Sequence, residues 1–270
     1  MQNPLVIPFR DYAVAVLARS FARDRTIAGY RTLLGHLMPR LGTIQVGNIT
    51  AVHAREALAD LRRSGLAPKS VANALGVLRM VLREAGNSSA DRIKVPVPDA
   101  DVRALGACEA RKLREVLRPG VVTDDAVLSL LGSGMRLAEL ERLREQDWDD
   151  GKGWATVACQ AAGATKSGRT RVVDVATYAQ PATTRLLVSG MPARRTLRRR
   201  LDALCAAAGV PRVRVHDLRH TRLTLLLLAG APVLYVCAQA GHHDPAYTMR
   251  TYGHLVVASP EQRAAWADAA

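Results

Sequence analysis

The chain is poor in aromatic residues and in acid. Three Trp, six Tyr and two Phe make up 4% of 270 residues, so a core must be filled by aliphatic side chains. Hydrophobic residues still reach 49%, which argues against wholesale disorder and leaves one large or two ordinary domains as the expectation. Cysteine is scarce and scattered: Cys108, Cys159, Cys205 and Cys237. No two lie within three residues of each other, so neither a zinc knuckle nor a dithiol redox pair is spelled out, and reduced, mostly buried thiols are expected. No basic leader followed by an apolar run comes after Met1-Gln2-Asn3-Pro4, so no signal peptide is read. The most apolar stretch, residues 223–240, is interrupted by Gly230-Ala231-Pro232 and carries Thr224, Tyr235 and Gln239. It is too broken to span a bilayer and reads as two buried helices meeting at a turn.

The deficit of acid leaves a large positive balance. Lys and Arg number 38 against 24 Asp and Glu, for a net charge of +14. Such an excess speaks of partners, not of fold. It favours polyanions, with nucleic acid first and an acidic membrane surface second. Residues 1–90 hold 12 basic and 5 acidic side chains, and the remainder carries the same excess of seven. Charge on both parts suits a protein that grips DNA from two sides.

Apolar spacing predicts helices over residues 9–21, 26–41, 51–63 and from Pro68 to about residue 85. Ile27, Tyr30, Leu33, Leu34 and Leu37 share one face of the second, Thr50 is placed to cap the third, and Val71, Leu75, Leu78 and Leu82 stripe the fourth. Four helices with short joins make a compact all-α domain over 1–86. Residues 87–104 change character, with Asn87-Ser88-Ser89 and then Pro96 and Pro98 among charges, and read as a linker. Beyond it, residues 109–117, 124–131 and 137–143 look helical. Residues 154–159 and 171–175 read as the strands of a β-hairpin with Lys166 at its tip. Helices are expected again over 193–208, 216–229, 232–240, 245–252 and 260–267. The fold class is therefore mainly α, with one small antiparallel sheet in a second domain over 105–270.

Four separated segments make chemical sense together. They are Gly134-Met135-Arg136-Leu137-Ala138-Glu139-Leu140, Thr165-Lys166-Ser167-Gly168-Arg169, His216-Asp217-Leu218-Arg219-His220-Thr221, and Gly241-His242 followed ten residues later by Tyr252 in Thr251-Tyr252-Gly253-His254. Their order and spacing resemble the tyrosine recombinase (phage integrase) family, over roughly residues 105–255, and the four-helix start looks like that family's core-binding domain. Any one segment is weak evidence; all four in order are specific.

The chemistry explains the residue types. Attack on a DNA phosphodiester puts extra charge on its non-bridging oxygens. Arg136 and Arg219 can clamp those oxygens through planar forks that stay charged, and His242 can add a donor. A preorganised donor of this kind is worth about 3–4 kcal/mol. Tyr252 is the nucleophile, although a phenol with a free pKa of about 10 is weak without help. The resemblance makes His216 the general-base candidate and Lys166 the general acid for the leaving 5′ oxygen, with Arg169 and Arg171 as nearby alternatives. It also makes Glu139 an acid that orients the site, with Asp217 and His220 acting similarly around Arg219. A 3′-phosphotyrosine link keeps the energy of the broken bond, so no cofactor and no metal is required. The absence of a P-loop, an acidic metal triad or a zinc cluster agrees. His220, His243 and His254 are otherwise read as structural or DNA-facing, and Tyr235 and Tyr247 as decoys for the nucleophile.

Outside that constellation, Arg195, Arg198 and Arg199 share a face of one expected helix and read as phosphate-contacting. Arg62 and Arg63, with Lys69, form a weaker cluster around Gly65. The resemblance implies site-specific recombination, as in phage genome integration, on double-stranded DNA core sites. It implies a homo-oligomer (a dimer on one site, a tetramer in the synapse), no membrane, and work on the nucleoid in a bacterial cytoplasm. Only eight residues precede the first expected helix, so no arm-binding domain is expected. The stretch from Lys166 to His216 looks short for the family, and trimmed helices are expected there. Ala240 stands where the family commonly has leucine. After the tyrosine, Trp266 is read as an apolar anchor for a neighbouring subunit, and Ala269-Ala270 as an ordinary tail with a degradation tag as the alternative. Two other functions compete: a type IB topoisomerase, which generally has lysine where His216 stands, and a catalytically silent DNA-binding regulator, which should have lost a chemical residue.

Overall fold

A computed structural model of the chain describes residues 3–98, 103–158, 170–242 and 244–253. Cys159, Lys166, Arg169, His243, His254, Trp266, Ala269 and Ala270, and the helix expected over 260–267, lie outside the described residues. The chain divides into two compact units, Met1–Ala100 and Asp101–Ala270.

The first unit is built from α1 (Phe9–Ala18), α2 (Asp24–Leu41), α3 (Ala51–Arg63) and α4 (Pro68–Glu84). Each begins where local chemistry allows. Thr50 Oγ1 accepts the His53 N–H at the start of α3, and Pro68 occupies the first turn of α4, where a missing N–H costs nothing. Leu34, Leu37 and Leu41 of α2 pack with Val71, Leu75, Leu78 and Leu82 of α4 in an aliphatic core closed by Phe9 and Tyr12 of α1.

The expected linker is shorter than composition suggests. Ala90 and Ile93 are buried in the core of this unit, and Val95 packs against it. Asn87 Nδ2 donates to the carbonyls of Val46 and Ile49 at 2.7 and 2.9 Å, and Arg79 gathers those of Ala90, Asp91 and Ile93. A polar segment with few apolar residues is held by its backbone carbonyls, which a composition count does not register.

The second unit holds α5 (Ala107–Glu115), α6 (Val122–Ser133), α7 (Leu137–Leu140), β1 (Trp148–Asp149), β2 (Trp154–Val157), β3 (Arg171–Asp174), α8 (Gln180–Ser189), α9 (Arg194–Ala207), α10 (Val215–Leu228), α11 (Val233–Ala240) and α12 (Pro245–Tyr252). The strands form an antiparallel sheet in the order β1-β2-β3, with Val157 opposite Arg171 and Trp154 opposite Asp174. At the centre, α6 packs against α8, α9 and α10. Asp124 and Asp125, in its first turn, are buried and charge-paired. Asp124 Oδ1 meets Arg200 Nε of α9 at 2.7 Å, and Asp125 Oδ1 meets Arg185 Nη2 of α8 at 2.6 Å. Carboxylates at a helix N-terminus also suit the helix dipole.

Three expectations need correction. Helix α8 was not expected: Pro181, Thr183 and Thr184 weaken the helical signal in its first half. Its apolar contact is made by Ala182 and Leu186, and Thr183 is buried with its hydroxyl bonded to Ser129 Oγ at 3.0 Å. Because α8 and α9 are both present, the stretch before His216 is not trimmed of helices. And α7 ends at Leu140, not at residue 143. The apolar stretch over 223–240 does form two helices, α10 and α11, joined at Gly230 with φ +82°. No helix among the described residues is long and apolar enough to cross a membrane.

Leu78 is fully buried at the middle of α4. Leu78→Ala is expected to lower the stability of the first unit by about 2–5 kcal/mol, measured by urea unfolding; a change within error would mean the α2–α4 core is not packed as described.

Candidate active site

The site is assembled at the ends of helices. α6 stops at Gly134, whose φ of +68° is the left-handed conformation that glycine adopts at little cost. The chain then reverses, and Arg136 stands immediately before α7. One turn on, Glu139 points back. Its Oε2 accepts the Arg136 backbone N–H at 2.8 Å, and its Oε1 accepts from Arg136 Nη1 at 2.8 Å. Arg171, at the start of β3, closes on the same carboxylate with Nη1 to Oε1 at 3.1 Å and Nη2 to Oε2 at 2.7 Å. Burial alone would raise the Glu139 carboxyl. The hydrogen bonds and charge of Arg171, then Arg136, outweigh it and hold the pKa down to about 2.

Arg171 also ties in the last helices. Its Nε donates to the Gln239 carbonyl at 3.1 Å. Gly241 ends α11 with φ +61° directly over the guanidinium, where a Cβ would lie 2.9 Å from Arg171 Nη1. A side chain at 241 would therefore push on the guanidinium that holds Glu139. With its side chain only 9% exposed and both forks engaged, Arg171 is a structural clamp. It is not the alternative proton donor that its nearness to Lys166 suggested.

Arg219 on α10 is 2% exposed. Nη1 donates to the Gly134 carbonyl at 2.8 Å, and Nη2 to the Ala240 carbonyl. Nη2 also lies 3.3 Å from His242 Nε2. A guanidinium only donates, so Nε2 accepts, and Nδ1 carries the proton toward Thr248 Oγ1 at 2.8 Å. Burial, then the charge of Arg136, lowers Arg219 to about 10; it stays a cation at neutral pH. Burial and the charges of Arg219 and Arg136 depress His242 to about 4 and lower His216 as well. Both imidazoles are neutral at pH 7.

Tyr252, at the end of α12, is 1% exposed and packs with Leu223, Leu227, Val236 and Ala240. Burial pushes its phenol up to about 12 despite the pull of Arg219. Among the described residues its hydroxyl meets His220 Nδ1, at 2.7 Å, and not His216. His220 sits edge-on to His216, with ring centroids 4.8 Å apart. Sequence reasoning left His220 as structural or DNA-facing. The available signal was spacing: His216, Arg219 and His220 lie three and four residues apart and share one face of α10.

Of the expected site residues, Arg136, Glu139, Arg219 and His242 are thus joined through Gly134, Arg171 and the end of α11, and His216 reaches Tyr252 through His220. The expected phosphate-contacting arginines divide. Arg195 and Arg198 of α9 line a groove of about 1080 Å³ that runs to His216. Arg199 is exposed but does not line it. Arg194 pairs with Glu141, Arg212 with Asp202 and Arg214 with Asp217, whereas Arg195 and Arg198 make no ion pair among the described residues. In the first unit Arg62 and Lys69 are exposed, and Arg63 is paired with Asp60. Asp217 is buried beneath Arg214, so it anchors the start of α10 and does not brace Arg219.

Because the Glu139 pKa is depressed, its charge stabilises the fold fully above the unfolded value of about 4.3, by roughly 3 kcal/mol. That contribution fades as pH falls toward the folded value of about 2. Glu139→Gln is expected to unfold at lower urea than wild type at neutral pH, with the difference closing between about pH 4 and pH 2. A difference independent of pH in that range would contradict a charged, clamped Glu139.

Residues 104–258 match the family model described as the phage integrase family. The chain is 30% identical over 233 residues to tyrosine recombinase XerA of Thermococcus kodakarensis, covering 77% of this chain and 80% of that protein. It shares the fold of the Tn1549 transposon integrase solved in complex with a circular intermediate DNA, with a TM-score of 0.81 at 18% identity over 97% of this chain and 99% of that one. A lambda integrase tetramer bound to a Holliday junction gives a TM-score of 0.73 at 15% identity over 93% of this chain and 78% of that one. With more than half of its length matched, this chain belongs to the phage integrase family of tyrosine recombinases.

Proposed function

We propose that this chain is a site-specific DNA strand-exchange enzyme that cleaves and rejoins DNA through a 3′-phosphotyrosine link at Tyr252. The observation that carries the reading is an imbalance of charge. Three guanidiniums, Arg136, Arg171 and Arg219, are set around one carboxylate, Glu139, and the neighbouring imidazoles are held neutral by burial and then by the surplus. Such a site is completed by an anion. A phosphodiester supplies it, and its growing transition-state charge is met by donors already in place.

In this reading Arg136 and Arg219 bind the non-bridging oxygens. His242 adds a third donor. Thr248 Oγ1 can accept from or donate to Nδ1, so the ring can present an N–H at Nε2 once phosphate replaces Arg219 there. His216 lines the basic groove beside the clamp and takes the tyrosine proton, and Lys166 protonates the leaving 5′ oxygen. A free 5′ hydroxyl then reverses the attack, on either strand. Glu139 and Arg171 hold the clamp without touching the phosphate.

Arg195 and Arg198 carry the DNA backbone along the groove toward His216, and the first unit acts as the core-binding domain on the same duplex. Lambda integrase, solved as a dimer on a COC' core site and as a tetramer on a Holliday junction, supports assembly of a dimer on each core site and a tetramer in the synapse. The work takes place on the nucleoid in a bacterial cytoplasm. The complete set Arg136, His216, Arg219, His242 and Tyr252 favours recombination over a silent DNA-binding regulator, and histidine at 216 favours it over relaxation alone.

Tyr252→Phe is expected to bind a core site like wild type in gel shifts and to form no covalent complex on a nicked suicide substrate made from DNA flanking the gene. Trapping of that mutant at the wild-type level would refute the nucleophile. Arg195→Ala and Arg198→Ala are each expected to weaken binding across all sequences and to flatten the log K against log salt plot by roughly 1. An unchanged slope would remove the groove from the DNA path.

A further inference from the structure

The acceptor of the tyrosine's hydrogen bond is His220, not the His216 to which the proposed function assigns the proton. Tyr252 Oη lies 2.7 Å from Nδ1 of His220, with the two rings 5.7 Å apart and tilted by 48°. Burial, then His216, lowers His220 to about 4, while the phenol stands near 12. A protonated phenol therefore donates to a neutral imidazole. The ring of Tyr252 is seated among Leu223, Leu227, Val236 and Ala240.

This placement is not one from which attack can start. The attacking oxygen must come within about 3–3.5 Å of phosphorus. The phenol is buried and its hydroxyl is already bonded to His220, so it must leave that bond before it can attack. Arg136 and His216 lie nearer the surface than the phenol, while Arg219 is as buried as the phenol is. The Arg136 side chain is 26% exposed, and His216 lines the basic groove. His216 precedes His220 by four residues on α10, so the two imidazoles stand about one helical turn apart, one at the groove and one beneath it.

Resting on the recombinase reading, the geometry points to His220 as a positioning residue of the nucleophile: it holds the Tyr252 hydroxyl in a buried station one turn along α10 from His216, and strand cleavage begins when the phenol passes from the one imidazole to the other. The proton stays on the phenol during that move, and only the acceptor changes. A hydroxyl buried without a partner is costly, so His220 keeps the DNA-free enzyme in a low-energy closed arrangement. The surplus charge at Arg136 and Arg219 draws the phosphate, and the phenol then leaves His220 for His216 beside it.

The test uses the full DNA-free chain treated with tetranitromethane, with nitration read by peptide mass spectrometry. Tyr247, 47% exposed, is the internal reference. In wild type, Tyr252 is expected to be protected relative to Tyr247. His220→Leu removes the acceptor and is expected to raise relative nitration of Tyr252 by about tenfold. His220→Asn puts Oδ1 where Nδ1 stood and is expected to restore protection. Unchanged nitration in His220→Leu, or equal exposure in both variants, would overturn the proposal. If His220→Leu loses its cooperative melt, the ¹⁵N shift of His220 Nδ1 decides: it must change between wild type and Tyr252→Phe, and an identical shift also overturns the proposal. On a nicked suicide substrate His220→Leu is expected to form covalent complex faster than wild type; slower formation with normal DNA binding would assign His220 to proton transfer instead. A wild type that forms no covalent complex at all would defeat the recombinase reading, while the nitration result would still report on the contact.

Discussion

The site depends on one buried carboxylate shared by two guanidiniums. Glu139 takes both forks of Arg171 and the side chain and backbone of Arg136, so α7, β3 and, through Gln239, the end of α11 are tied to one point. The approach of Gly241 to Arg171 leaves no room for a Cβ, which sets where His242 emerges. Removing one partner from such a cluster leaves a charge buried without compensation, the costly way to break a buried ion pair.

The same cluster sets the protonation of everything around it. One carboxylate does not balance Arg136, Arg171 and Arg219; burial first, and then the residual field, keeps His216 and His242 neutral, while burial and the neighbouring His216 keep His220 so. Neutral imidazoles can accept a proton or donate one, which a site of permanently charged groups cannot do. The phenol, in contrast, is pushed toward its protonated form by burial. The arrangement is poised for an anion that would relieve the repulsion among the guanidiniums.

Arginine serves three purposes in the second unit, and partners separate them. Arg185 and Arg200 neutralise Asp125 and Asp124 at the head of α6 and so fasten α8 and α9 to the central helix. Arg194 and Arg212 are engaged by nearby carboxylates at the surface, where such pairs contribute little to stability, and Arg214 covers the buried Asp217 at the start of α10. Arg195 and Arg198 are left facing the groove. A run of five arginines within residues 194–200 is thus one surface in composition and several in space.

Much of this was legible in the sequence. Aliphatic spacing located the four helices of the first unit, because a 3.6-residue period records which face is buried. The separated segments around Arg136, His216, Arg219, His242 and Tyr252 identified the family, because the chemistry demands those types in that order. What the sequence could not supply were relations between residues distant along the chain. Ala90 and Ile93 joined the first core through carbonyls gathered by Arg79, and α8 formed despite Pro181 and two threonines in its first half because α6 offered it a surface. Arg171 became a clamp because Glu139 lies against it, 32 positions away. His220, not His216, received the tyrosine hydroxyl because the packing of α12 on α11 sets where the end of α12 meets α10, which spacing alone cannot tell. Local pattern determines which elements form and which chemical groups they carry; the packing of one helix end on another decides which of those groups meet.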